Sequence, residues 1–295
     1  MNHSRKVFVL LAVLLTFVLS APAHATQPSS KKTGILLVAF GTSVPQARVS
    51  LQNIEEEVRK AFPDTEIRWA YSAAQVRRKI KREENITIPS PATALAQMGD
   101  EGFTHVAVQS LHTIPGAEFS NVVTTAKAFD GIPKSIQHIS IGAPLLMTPH
   151  DVDTAADVLP AILPQERKRT EAVILMGHGT HDAANIYYSG LQTYLREQNP
   201  NIFVGTVEAY PSLDTILPQL KQKKITKVWL LPFMSVAGDH ARNDMAGPEE
   251  DSWKSILEKE GFTVQTILKG TGEYDAIAAL WVAHLKEAVA ALNAM

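Results

Sequence analysis

Two stretches of this chain run in the same order: "TALAQMGDEGFTHVAVQSLHTIPGAE" at 93–118 tracks "TILPQLKQKKITKVWLLPFMSVAGDH" at 215–240, and "GILLVAFGTS" at 34–43 tracks "AVILMGHGTH" at 172–181. The longer pair keeps one offset of 122 residues from Thr93 and Thr215 to its end. A repeat of this length constrains the fold more than composition does. Whatever unit the first half forms the second forms again, and the economical arrangement packs the two across a cleft. The alignment sets Phe40 opposite His178 and Ser43 opposite His181. Between the blocks, "RWAY" at 68–71 reads against "TVEAY" at 206–210, which sets Trp69 opposite Glu208.

The repeated unit is α/β. Apolar runs of strand length recur: "GILLVAFG", "THVAVQSL", "IQHISIG", "EAVILMG", "IFVGTVEAY", "TKVWLLPF" and "FTVQTIL". Near-continuous apolar strands imply parallel sheets covered on both faces. Between them, "VPQARVSLQNIEEEVRKAF" and "YYSGLQTYLREQ" have the spacing of helices with one apolar face. The reading is two similar domains, 26–150 and 151–295, each a parallel sheet flanked by helices. The segment 148–170 crosses between them, and the closing helix from Glu273 could return to the first half. The first half carries an extra stretch, "AAQVRRKIKREENITIPSPA" at 73–92, whose "IPSPA" should interrupt the helix before it. It is an excursion over the cleft or into a subunit contact, which leaves a homo-oligomer open.

Residues 1–25, "MNHSRKVFVLLAVLLTFVLSAPAHA", read as an export signal: a basic start, an apolar stretch, and small residues at Ala23 and Ala25. The stretch Val7–Leu19 is shorter than the roughly 20 residues that span a bilayer as a helix. The expectation is cleavage after Ala25, no stable membrane insertion, and a periplasmic location in a host with two membranes. The chain has no cysteine, which excludes disulfides, protein-ligated iron–sulfur clusters and cysteine catalysis. A formal charge of -2 with dispersed lysines and arginines gives no reason to expect nucleic acid. Neither "AFGTS" nor "GHGTH" is a dinucleotide or P-loop signature, so no organic cofactor is expected.

The chemistry falls at strand ends, where a doubly wound sheet builds its ligand cleft. His178 follows "EAVILMG", Glu208 ends "IFVGTV" and His240 lies beyond "TKVWLLPFMSVAGD". Two imidazoles and a carboxylate suit a borderline divalent cation such as cobalt, nickel, iron or zinc, with positions left open. His112 is the leading candidate of the first half, in "QSLHTIPGAE" beside Glu118. His181 and Asp182 read as a helix opening, with Asp182 facing the orphan backbone donors. Asp239 lies beside the set without being assigned to it.

The segments "LLVAFGTS", "SLHTIPGAEF", "GHGTH", "VEAYPS" and "PFMSVAGDHARNDMAG" resemble the anaerobic sirohydrochlorin cobaltochelatases of cobalamin synthesis, class II chelatases related in fold to ferrochelatases. The resemblance covers essentially the mature chain. It implies ATP-independent insertion of divalent cobalt into sirohydrochlorin or its precursor form, in a cleft between two α/β domains, with iron insertion as a close variant. By the same resemblance His178 and His240 are the catalytic histidines and Glu208 completes the metal set. The substrate is a polycarboxylate, so His112, Thr42, Ser43, Thr180, Arg242 and Asn243 are candidate contacts, with Arg77, Arg78 and Lys79 on the excursion behind them. Export departs from the cytoplasmic setting of that pathway. It keeps a periplasmic metal or tetrapyrrole carrier, or a solute-binding protein, as a rival reading.

Overall fold

The computed structural model describes residues 31–294, so the export signal lies outside the described residues. From Lys31 onward the chain forms one compact unit containing two parallel four-stranded sheets of identical topology. The first is ordered β2-β1-β3-β4, from β1 (Thr33–Ala39), β2 (Glu66–Tyr71), β3 (His105–Ser110) and β4 (His138–Gly142). The second is ordered β6-β5-β7-β8, from β5 (Ala172–Gly177), β6 (Ile202–Thr206), β7 (Lys227–Pro232) and β8 (Thr263–Thr266).

Alternation along the central strands sorts side chains into separate cores, because successive residues of a strand point to opposite faces. Ile35, Leu37 and Ala39 of β1 enter the same cluster as Val173 and Leu175 of β5. Leu36 and Val38 instead face an outer cluster with α3 (Pro91–Asp100) and α4 (Ala117–Phe129). Ile174 and Met176 face another, with α7 (Leu213–Gln222) and α8 (Trp253–Lys259). The common cluster is filled by α1 (Val49–Ala61), α5 (Pro149–Val158), α6 (Ile186–Gln198) and α9 (Asp275–Asn293).

Two of these helices cross between lobes. The chain leaves the first sheet into α5, which packs on α6 of the second lobe, and α9 returns from the second sheet to β3, β4 and α1. Trp281 and Leu285 of α9 are fully buried there. Each such side chain contributes about 2 kcal/mol relative to exposure. A capping box between Thr148 and Asp151 starts α5, and Asp151 also pairs with His284 of α9 at 3.2 Å.

Hydrogen-bond register tests the internal repeat. The 122-residue offset holds: Leu111 donates to the Val38 carbonyl as Phe233 donates to that of Met176. The match of "RWAY" to "TVEAY" does not hold. Ala73 donates to the Phe40 carbonyl as Glu208 donates to that of His178, so the counterpart of Glu208 is Ala73, four residues beyond Trp69. Trp69 lies within β2 and its indole bonds Glu55. β6 also stops earlier than the apolar run suggests. The Thr206 amide turns to the Pro211 carbonyl, which leaves Val207–Tyr210 as a loop.

The excursion contains α2 (Ala74–Glu84), which ends at Asn85 in the left-handed conformation, φ 57°. Asn is suited to that C-terminal position. The "IPSPA" prolines therefore do not interrupt α2: Ser90 caps α3 by accepting from the Thr93 amide, and Pro91 opens that helix.

The lobes meet through reciprocal contacts at strand ends. A Cβ on Gly238 would lie 3.3 Å from the Thr42 hydroxyl, and one on Gly116 would lie 3.8 Å from the Thr180 methyl. Thr42 and Thr180 are repeat counterparts, as are Gly116 and Gly238, so the halves face each other across an approximate two-fold axis.

Candidate metal centre

His178, Glu208 and His240 follow β5, β6 and β7, three neighbouring strands of the second sheet. One ligand atom from each lies within 4.8 Å of the other two. The His178 Nδ1 to Glu208 Oε2 distance is 3.6 Å, and the two imidazole rings meet edge to face with centroids 4.5 Å apart. Histidine nitrogens and carboxylate oxygens bind divalent cations at about 2.0–2.2 Å. One donor atom from each of the three residues, grouped within 4.8 Å, therefore closes on one ion with small side-chain rotations.

The glycines of "GHG" build the loop that carries His178. A Cβ on Gly177 would lie 2.3 Å from the Tyr188 ring. Gly179 has φ +86°, and a Cβ there would lie 2.9 Å from both the Ala209 amide and Thr206 Cβ. Glycine is the residue that meets both a left-handed φ and so close an approach. Tyr188 is fully enclosed, its phenol pushed up to about 12 by burial, and it takes backbone hydrogen bonds from His178 and Gly179. The loop is thus held from below by Tyr188 and from the side by the Glu208 amide, which bonds the His178 carbonyl at 2.9 Å.

Hydrogen bonding fixes which nitrogens are free. His178 Nδ1 lies 2.9 Å from the Gly179 carbonyl and His240 Nδ1 lies 2.8 Å from Asp244 Oδ2. A carbonyl or carboxylate only accepts, so Nδ1 is the donor in both rings, and in the neutral form of each imidazole Nε2 presents the lone pair. Asp244 sits in a single π-helical turn, Ala241–Met245, one turn beyond His240. Sequence reading did not single it out. The four-residue spacing in "HARND" is the signal, because a carboxylate four residues along a helix reaches the same face.

Other candidates separate by position. His181 is exposed, and Asp182 caps the following turn by accepting from the Ala184 amide at 2.8 Å, as a helix opening requires. Thr42 is 3% exposed with its hydroxyl taken by the Val44 amide, and Ser43 is buried beside it. The Thr180 hydroxyl accepts from the Asp182 amide. Arg242 turns back to the Ala237 carbonyl at 3.2 Å, while Asn243 is exposed. Asp239, next to His240 in the chain, faces Lys79 of α2 at 3.9 Å.

The first lobe holds a second polar assembly. Ser110 Oγ lies 2.8 Å from His112 Nδ1, His112 Nε2 lies 3.4 Å from Ser72 Oγ, and Ser72 donates to Glu118 at 2.6 Å. Burial drives the His112 imidazole down to about 4, so it is neutral at ordinary pH. Trp281 of α9 donates to the His112 carbonyl and ties this loop to the returning helix. Ser72 also escaped the sequence reading, since a serine after a strand carries no signal of its own. Across the cleft Phe40 faces His178, ring centroids 6.3 Å apart.

Residues 33–290 match the family model described as cobalt chelatase (CbiK). The chain is 42% identical over 269 residues to the sirohydrochlorin cobaltochelatase CbiKC of Nitratidesulfovibrio vulgaris, covering 90% of this chain and 93% of that one. It is 34% identical over 259 residues to the sirohydrochlorin cobaltochelatase of Salmonella typhimurium, covering 88% and 97%. Among solved structures, SirB from Bacillus subtilis with Fe3+ superposes with a TM-score of 0.57 at 16% identity, over 90% of this chain and 98% of that one. At that identity the likeness bears on the fold alone.

Proposed function

The chain belongs to the cobalt chelatase (CbiK) family, and from that premise we propose that it inserts divalent cobalt into sirohydrochlorin without nucleotide hydrolysis. The observation that carries the reading is the convergence of His178, Glu208 and His240 from three adjacent strand ends. Two imidazole nitrogens and one carboxylate make a partial ligand set. It is sufficient to strip some water from the cation and too open to retain it as a closed structural site would.

The catalytic assignment is His178 and His240 as metal ligands and proton acceptors, with Glu208 as the anionic ligand. Metallation replaces two pyrrolic N–H protons by one dication, so the site must give up a metal and take up protons. One lone pair does not do both at once. The two roles follow in sequence: as the cation passes to the ring nitrogens, each Nε2 regains a free lone pair and is available to a leaving proton. Asp244 positions His240 and stabilises the imidazolium that results, the role of a carboxylate behind a ligating histidine. Arg242, Asn243, Thr180 and His112 are assigned to the macrocycle edge, and Thr42 and Ser43 to the floor between lobes. Iron is a second metal for the same donors, since imidazole and carboxylate do not separate the two.

Residues 1–25 are assigned as an export signal and the mature chain to the periplasm, on the basic, apolar and small-residue pattern of that segment. Among the described residues no helix is long and apolar enough to cross a membrane. The test is an optical titration of purified mature protein with sirohydrochlorin and cobalt. The expected result is metallation well above the spontaneous rate. Tight cobalt binding with no acceleration overturns the enzyme and leaves a carrier.

A further inference from the structure

The two substrates of the proposed reaction carry opposite charge, and the lobes divide along the same line. Around the metal ligands the second lobe places Glu208, Asp239 and Asp244. The first lobe answers with α2, whose sequence AQVRRKIKREE holds five basic residues against two acidic ones in a chain of formal charge -2. Its first turn has no acidic residue and no side-chain cap. The underside of α2 is anchored by the buried Ile80, by Arg77 donating to the Tyr71 carbonyl, and by the Arg48–Glu84 pair at its far end. Arg82 and Lys81 are engaged by Glu83 and Asn85 of the same segment. Arg78 is exposed, and Lys79 leans over the cleft to Asp239, the residue beside His240.

We propose that Arg78 and Lys79 of α2 form the subsite that receives carboxylates of the macrocycle, and that the Lys79–Asp239 contact is a latch exchanged for a substrate carboxylate on binding. The inference rests on the reading of the substrate as a polycarboxylate tetrapyrrole. At 3.9 Å, with side chains 40% and 58% exposed, the pair is wide and wet. Exposed pairs of this kind hold weakly, so a carboxylate delivered with the bound macrocycle displaces Asp239 readily. Release of Asp239 at that moment returns a negative charge to the side of the cleft where the cation waits. A basic arm facing an acidic metal side also steers the two substrates to different walls before they meet.

The experiment is fluorescence titration of metal-free sirohydrochlorin into the full mature chain at two salt concentrations. The double variant R78A/K79A should weaken binding about tenfold and flatten its salt dependence, with cobalt binding measured separately and unchanged. D239N should tighten macrocycle binding, because Lys79 is freed. Lys223 and Lys224 are remote from the cleft, at the amino end of β7, and K223A/K224A should have no effect. Equal weakening by both double variants, or unchanged binding in R78A/K79A, overturns the subsite. Weaker binding in D239N overturns the latch. If the unaltered chain fails to bind sirohydrochlorin at all, it is the reading of the substrate that fails.

Discussion

The two lobes repeat one topology and differ at the three positions where a cation would bind. After the first strand of each lobe stands Phe40 in one and His178 in the other. After the second stand Ala73 and Glu208, and in the third loop Glu118 and His240. The backbone plan is shared down to the bond that joins the first and second strand-end loops. Metal chemistry is therefore a property of three side chains placed on one copy of a duplicated scaffold. The other copy keeps one carboxylate, tied through Ser72 to a half-buried histidine.

The sharpest break between the lobes comes from removing the imidazoles. His178→Ala or His240→Ala should lower the metallation rate about a thousandfold, roughly 4 kcal/mol of transition-state stabilisation. Melting temperature should stay within a few degrees of the parent. Phe40→Ala, at the matching place, should cost less than about tenfold in the same optical assay.

The next effect belongs to the first lobe. The His112 imidazole titrates near 4 in the folded chain and near the ordinary 6.5 when unfolded. Between those values the unfolded chain binds a proton that the folded chain refuses, so stability falls as pH drops from 6.5 to 4 and levels off below. The loss is on the order of 3 kcal/mol. His112→Gln should flatten that stretch of the melting temperature against pH, whereas substituting its repeat counterpart Met234 should leave it. An unchanged slope in the glutamine variant contradicts the neutral imidazole.

Smaller effects sharpen the ligand set. Glu208→Gln keeps the shape and removes the charge, and should weaken cobalt binding by about 2 kcal/mol in a calorimetric titration. Glutamate placed at Trp69, the position that sequence alignment alone would choose, should not add a second cobalt site. Asp244→Asn should weaken cobalt about tenfold, the usual scale for a partner behind a metal ligand, and Asp244→Ala by more. Equal losses for Asn and Ala would mean that charge rather than the hydrogen bond positions His240.

The strands, their parallel order and the 122-residue repeat were legible because buried strands need unbroken apolar runs and those runs recur at fixed spacing. The ligand triad was legible for the same reason, since strand ends mark where loops converge. What failed was register in the weaker part of the repeat. "RWAY" and "TVEAY" look alike as letters, yet the bond from Ala73 to Phe40 places Glu208 four residues further on. Alanine carries no trace of the ligand it stands for. Asp244 went unassigned although its four-residue spacing from His240 carries the signal, and the reach of α2 across the cleft depends on a Lys79–Asp239 contact that no spacing rule predicts.

The exchange of α5 and α9 between lobes has a consequence for how the molecule would survive damage. The run from Gln165 to Thr170, exposed except at the half-buried Arg167, links the two sheets, but α9 on its far side is buried against the sheet on its near side. A single cut in that run leaves each fragment holding a helix that the other requires. A nicked chain should therefore elute as one particle, melt in one transition and keep its catalytic rate, and the separately expressed fragments should reassemble when mixed.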